Sequence, residues 1–403
     1  MATAITDVRR APVGLIHLSL AVGGFAIGTT EFATMSLLPD MARSLHVDAP
    51  TAGHVISAYA LGVVVGAPTL AVLGARLARR TLLIALMTLF ALGNALSAIA
   101  PSYSTMMVAR FLAGLPHGAY FGIAMLVAAS LVEQGKRTQA VARVMLGLTV
   151  ATIVGVPLAN LMGQVIGWRS CFIVVAALAG LTAGLVAAFA PRDRGDPAAS
   201  PLRELGALRR PQVWLTLGIG AIGFGGLFAV YTYLADTMAA VTQVGPRLVP
   251  LALMTFGVGM TLGNIVVPRF ADRALLPTAA AVLVWSLVAL LLWPLAAPHL
   301  WAVLVVMFAI GVGGSLGSVL QTRLMDVAGD AQALAAALNH SAFNTANALG
   351  PWLGGIVIAA GYGWTSTGWV GALLAVCGLA VLGLSAAVER RGAARGSRAC
   401  PAS

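Results

Sequence analysis

The chain has 403 residues, of which 59% are hydrophobic and only 9% charged, with a mean hydropathy of +0.93. A soluble protein of that length carries about a quarter charged residues, so these figures exclude a water-soluble enzyme and leave a polytopic protein with lipid as its main solvent. The net charge of +11 is no nucleic-acid footprint, because the basic residues sit in short loops between apolar runs.

The opening stretch "MATAITDVRR" precedes an apolar run that continues to Leu38. That run is too long for a signal-peptide core and lacks an evident cleavage site, so it reads as a retained first helix. At ~20 apolar residues per crossing, the sequence predicts twelve spans. The first six cover 13–38, 51–74, 81–100, 104–131, 140–165 and 170–190; the second six cover 213–237, 247–268, 276–297, 300–325, 333–359 and 365–387. Between them "PRDRGDPAASPLRELGALRRPQ", residues 191–212, is the one long polar linker. The predicted organisation is an N-terminal six-helix bundle (1–190), a cytoplasmic linker (191–212) and a C-terminal six-helix bundle (213–403) with a basic tail.

All but four of the 24 lysines and arginines fall in the loops on one side, the exceptions being Arg43, Arg110, Arg169 and Arg247. Positive charge stays in the cytoplasm, so both termini are expected inside. Cys171 and Cys377 lie in apolar runs and Cys400 in the basic tail, which gives neither a disulfide framework nor metal-ligand spacing.

The halves repeat at an offset of about 197 residues: "RFLAG" from Arg110 over "MFAIG" from Met307, "ATIVGVP" over "ANALGPW", "GWR" over "GWT", and "AR" at 75–76 over "DR" at 272–273. Such a six-plus-six duplication is a transporter architecture, with the substrate site between the halves near mid-membrane.

The stretches "GTTEF" and "LLP" on the first helix, "YALGVVVGAP" on the second, "AR-FLAG-HGAYFG" on the fourth and "GLTVATIVGVP" on the fifth carry a more specific likeness. The chain resembles the major facilitator superfamily, in its drug:proton antiporter group, nearest the chloramphenicol-resistance, purine and sugar efflux branch. The resemblance runs the length of the chain and is strongest in its first half. It implies an all-α membrane protein of twelve helices in two pseudo-symmetric six-helix bundles, every third helix peripheral. It also implies a cytoplasmic latch at Arg76, Arg79 and Arg80 with Asp272 and Arg273 in the second copy. The family loop G-x-x-x-D-R-x-G-R-R reads here "AVLGARLARR", with Ala71, Ala75 and Ala78 in place of Gly, Asp and Gly, which weakens the first copy of that latch. The fifth-helix signature G-P-x-x-G-G is loose at 155–160 and intact on the eleventh as "GPWLGG".

Glu31 and Arg110 are the one acid and one base firmly inside spans. Counting 1.5 Å per residue, Glu31 lies ~9 Å and Arg110 ~10 Å to the outer side of their helix midpoints. Charges at that depth cost about 2.5–3.5 kcal/mol each and are functional by default, so the two are the candidate proton-coupling residues; a mere lock between helices is the plainer alternative. Arg110, Gly114, His117 and Phe121 share one helical face, as do His340, Asn344, Asn347 and Pro351 on the eleventh helix. Phe224, Phe228 and Tyr231 share a face of the seventh, and Asn264 interrupts the eighth. His117, Phe121, Phe228, Tyr231, Asn264, Asn344 and Asn347 are therefore the candidate substrate contacts, although each type also serves plain packing.

No Walker loop, zinc site, nucleophile elbow or haem motif occurs, so ATP-driven transport and catalysis lack support and no metal or cofactor is expected. The expected function is proton-coupled efflux of small amphiphilic compounds such as antibiotics across the inner membrane, by a monomer whose partners are substrate, protons and the lipid bilayer. A sugar, purine or other metabolite transporter of the same fold is the alternative, and a membrane sensor without transport a further one.

Overall fold

A backbone in hydrocarbon must satisfy its own N–H and C=O groups, so each apolar run closes into a helix. The computed structural model describes residues 12–47, 49–193, 204–329 and 331–398. Its long helices are α1 Val13–Ser36, α2 Ala49–Leu73, α3 Arg79–Ile99, α4 Tyr103–Ser130, α5 Gln134–Gly163 and α6 Arg169–Phe189. In the second half follow α7 Pro211–Thr232, α8 Val249–Ala271, α9 Leu275–Ala296, α10 Leu300–Val327, α11 Gln332–Val357 and α12 Ser366–Arg391. Eleven of these are long and apolar enough to cross a membrane. The other, α11, has 26 residues but is diluted by Gln332, Asn339, His340, Asn344 and Asn347. Several of those side chains turn inward: Asn339 donates to Gln321 Oε1 at 2.7 Å, and His340 and Asn344 face the centre of the molecule.

Local departures have local causes. The first helix stops at Ser36, and a separate short helix, Leu38–Leu45, follows and ends at His46 in the left-handed region (φ 56°). A capping box starts α4, where Ser102 Oγ accepts from Thr105 N and Thr105 Oγ1 accepts from Ser102 N at 3.1 Å. Helix α5 carries a π turn at Ala151–Gly155, immediately before Pro157; proline supplies no N–H to the preceding turn, and the widened turn absorbs the mismatch. Helix α7 is interrupted at Phe224 and again at Tyr233, after which Leu234–Thr237 and a π turn at Met238–Thr242 carry the chain past the expected residue 237.

The packing repeats after six helices. Helix α2 lies along α4, α3 along α6, and α1 along α5 and α6; correspondingly α8 lies along α10, α9 along α12, and α7 along α11 and α12. The same glycines make the repeat possible. An added Cβ on Gly62, Gly66 or Gly114 would collide with Phe111 O, Leu115 O or Tyr59 O, and one on Gly259, Gly263 or Gly311 with Phe308 O, Val312 O or Phe256 O. Only residues without side chains let these backbones approach so closely.

The halves meet through α2 and α4 against α11 and through α5 against α8 and α10. Helix α1 begins and α12 ends on one side, called here the terminal face. The junction is tight toward that face. Gly118 and Gly122 of α4 back directly onto Ala337 of α11, and Arg137 pairs with Asp326 at 2.9 Å.

Candidate functional site

Near the middle of the interface, segments of both halves enclose a cavity. Its wall comprises Glu31 and Phe32 of α1, His117 of α4, Met145 and Leu148 of α5, Phe224, Leu227, Phe228 and Tyr231 of α7, Phe256 and Met260 of α8, Gly314 and Gly317 of α10, and His340, Phe343 and Asn344 of α11. The empty space around these side chains, open solvent included, is about 610 Å³, and only ≈ 50 Å³ admits the centre of a water molecule. One water needs about 10–15 Å³ by that measure. In this conformation the cavity has room for no more than a few waters and is too tight for a drug-sized compound.

Phenylalanine and tyrosine rings from α1, α7, α8 and α11 form one part of the wall. Phe32 meets Tyr231 edge-on at 6.1 Å, Tyr231 meets Phe256 at 4.9 Å, and Phe224 meets Phe343 at 4.7 Å. Glu31 is its one carboxylate. Such a surface offers flat faces to an apolar ring and a single negative charge or proton to a polar end.

Arg110 occupies a different compartment. It is 1% exposed, and its guanidinium lies 4.3 Å over the Tyr59 ring and 5.4 Å from the Phe172 ring. Its Nη1 donates to Thr30 Oγ1 at 3.1 Å, and Thr30 Oγ1 donates to Asn94 Oδ1 at 2.9 Å. The cation is thus held inside the first bundle by two aromatic faces and one neutral hydroxyl, and it forms no ion pair with Glu31. Thr30 and Glu31 are neighbours on α1 and point about 100° apart, one into the bundle and one into the cavity.

A second polar line crosses between the halves. Tyr59 Oη lies 2.9 Å from His117 Nδ1, and His117 Nε2 lies 3.3 Å from His340 Nδ1. With the tyrosine hydroxyl donating, His117 donates onward to His340. His340 Nε2 is buried and without a hydrogen-bond partner. Phe121 stacks on the His340 ring at 4.3 Å and 10°.

Of the residues singled out by sequence, Glu31, His117, Phe228, Tyr231 and Asn344 come together on the cavity wall, while Phe121 supports it from behind. Asn264 is buried beside the wall, its Nδ2 donating to Met260 O at 3.1 Å and its Oδ1 unpartnered. Asn347 is half-buried and off the wall. At the terminal face, Asp272 accepts from Thr138 N at 2.8 Å and from Gln139 Nε2 at 3.0 Å, which caps α5. Arg79 and Arg80 donate backbone N–H groups to Asp193, and the Arg80 guanidinium reaches Ala187 O; Arg76 and Arg273 are exposed. Sequence reasoning placed His340 in a stripe without assigning it to the site, and it missed Phe32, Phe256 and Phe343. In so apolar a chain their type carries no signal; only position in the fold marks them.

The sequence matches the family description Major Facilitator Superfamily over residues 20–274 and 232–399. It is 42% identical over 368 residues to the inner membrane transport protein YdhP of Escherichia coli K12, covering 91% of this chain and 94% of that one. To a chloramphenicol resistance protein of Streptomyces lividans it is 34% identical over 367 residues, covering 90% and 94%. The fold superposes on the crystal structure of the human organic anion transporter MFSD10 (TETRAN) with a TM-score of 0.72 at 15% identity, covering 92% of this chain and 98% of that one.

Proposed function

The chain belongs to the Major Facilitator Superfamily, and from that premise we propose that it exports small amphiphilic compounds across the inner membrane in exchange for protons, with both termini in the cytoplasm. The observation that carries this reading is Glu31, a lone carboxylate among the described residues of a largely apolar cavity wall between the two halves, whose other polar side chains are His117, His340 and Asn344. A carboxylate there binds a proton or faces a cationic or polar substrate group, and the two alternatives exclude each other. That exclusion is antiport in its smallest form: the proton enters when the cavity opens to one side and leaves when substrate takes its place on the other. Arg110, held inside the same bundle behind Thr30, contributes a positive charge that cannot be titrated away. The aromatic wall favours ring-bearing amphiphiles over sugars, which need many more hydrogen-bonding groups than His117, His340 and Asn344 provide. The relative from Streptomyces lividans, a chloramphenicol resistance protein, supports the same substrate class.

The test begins with a susceptibility panel in a host stripped of its own efflux pumps, which selects a substrate. Purified protein in proteoliposomes then exports that compound under an imposed pH gradient. Glu31→Gln keeps the shape and loses the proton; it should abolish gradient-driven export while leaving downhill exchange of substrate measurable. Export by Glu31→Gln with undiminished dependence on the gradient would remove Glu31 as the coupling acid. Protection against sugars or purines alone would favour the metabolite reading.

A further inference from the structure

Three helix N-termini at the terminal face are capped by acids from distant parts of the chain. Asp272, at the end of α8, accepts from Thr138 N at the start of α5. Asp193 accepts from Arg79 N, the first residue of α3, at 2.8 Å. Glu204 Oε2 accepts from Leu334 N, in the first turn of α11, at 3.0 Å. In the internal repeat α11 corresponds to α5, and the residue corresponding to Asp272 is Ala75, which has nothing to offer a backbone N–H. The carboxylate on α11 comes instead from the segment that joins the halves.

That segment makes further contacts. Arg210 Nη1 donates to Val327 O, the last residue of α10, at 3.4 Å. Its guanidinium fills the space that a Cβ on Gly329 (φ +61°) would take. Between Glu204 and Arg210, the side chain of Ala207 is fully buried in a cluster with Ala67 and Ala71 of α2 and Leu334 and Ala335 of α11. An anion thus sits at the start of α11 and a cation at the end of α10, each at the helix terminus whose dipole it complements. The apolar residue between them lies in the seam where the two halves meet.

We propose that Glu204–Arg210 is a strap that does for α11 what Asp272 does for α5, standing in for the acid absent at position 75, and so holds the terminal face closed. The device rests on the transporter reading only in that the face has to open at some stage. During opening, α11 leaves α4 and α2, the Glu204 carboxylate loses Leu334 N, and Ala207 is withdrawn from the seam. The energy of closure then resides partly in the linker, and its length and charge bear on the rate of cycling.

Hydrogen exchange of the full-length protein in lipid nanodiscs tests this without substrate or proton gradient, so that its failure would leave the Glu31 proposal standing. Glu204→Ala should raise exchange roughly fivefold or more, the equilibrium equivalent of losing one helix cap, in 332–338 and in the facing stretch 118–124 of α4. Glu204→Gln, which keeps an acceptor oxygen, should give a smaller rise. Adding Ala75→Asp to Glu204→Ala should restore protection in both stretches. Unchanged exchange in Glu204→Ala would overturn the proposal. A rise confined to 332–338, with 118–124 unaffected, would reduce Glu204 to a local cap and refute the strap. Absence of rescue by Ala75→Asp would refute the substitution for position 75. Exchange in α9 and α12 equal to wild type establishes that the variants are folded.

Discussion

Glu31 and Arg110 illustrate what a residue count along a helix does and does not reveal. Rise per residue fixes depth, and by that measure the acid and the base stand level. Azimuth is set by which neighbours a side chain meets, and here Arg110 is drawn under Tyr59 and onto Thr30 while Glu31 turns to the cavity. The His117–His340 contact was hidden for the same reason: each histidine was visible on its own helix, but the pairing depends on α4 and α11 lying against each other across the halves. That contact makes a quantitative prediction. His340→Phe keeps the stack on Phe121 but removes the acceptor for His117, leaving a buried N–H unpaired at a cost of about 1–3 kcal/mol. His117→Phe costs a similar amount and strands Tyr59. The double variant should be less damaging than the sum of the two, with a coupling of about 1 kcal/mol in a double-mutant cycle of thermal unfolding in detergent. Strict additivity would mean that the 3.3 Å approach contributes nothing to the closed state.

Individual helices were the most legible level, because a run of about twenty apolar residues has few alternatives in lipid. Their regularity is broken where proline or glycine intervenes, as at the π turn before Pro157 and the break at Phe224 between Gly223 and Gly225. How the helices pair was not legible from composition, since 46 glycines give no hint of which ones touch a neighbour's backbone. The repeat supplies the missing information: Gly62, Gly66 and Gly114 correspond to Gly259, Gly263 and Gly311, and each closes the same α2–α4 or α8–α10 contact. Gly66→Val and Gly263→Val should therefore act alike, each forcing a pair of backbones apart at a cost of about 1–3 kcal/mol or more, seen as lower melting temperature and lower folded yield. Gly184→Ala, on α6 with nothing within 4 Å of the added methyl, is the control and should be neutral. A tolerated valine at either position would show that the close approach is dispensable there.

At the scale of the whole molecule, the strongest signal in the sequence is the placement of its charge. The loops that join α2 to α3, α4 to α5, α6 to α7 and α8 to α9, together with both terminal segments, hold nearly all the lysine and arginine. These loops lie at the terminal face, where Asp272, the Arg137–Asp326 pair and the Glu204 contact also tie the halves together. On the proposed orientation, with positive charge retained in the cytoplasm, that face is cytoplasmic, the conformation described is closed toward the cytoplasm and the cavity has its next access from outside. For the proposed proton-coupled exporter the order of events would then be that Glu31 takes its proton from the outer side in this branch of the cycle, and substrate enters after the ties on the inner side release. The orientation is checked in intact cells with a variant whose three cysteines are replaced by serine. Gly135→Cys, in the exposed first turn of α5, should resist a membrane-impermeant maleimide until the cells are opened. Pro298→Cys, in the exposed α9–α10 loop on the opposite side, should react at once. The reverse pattern would invert the whole chain in the membrane, make the ties extracellular, and turn the same alternation of proton and substrate at Glu31 into uptake.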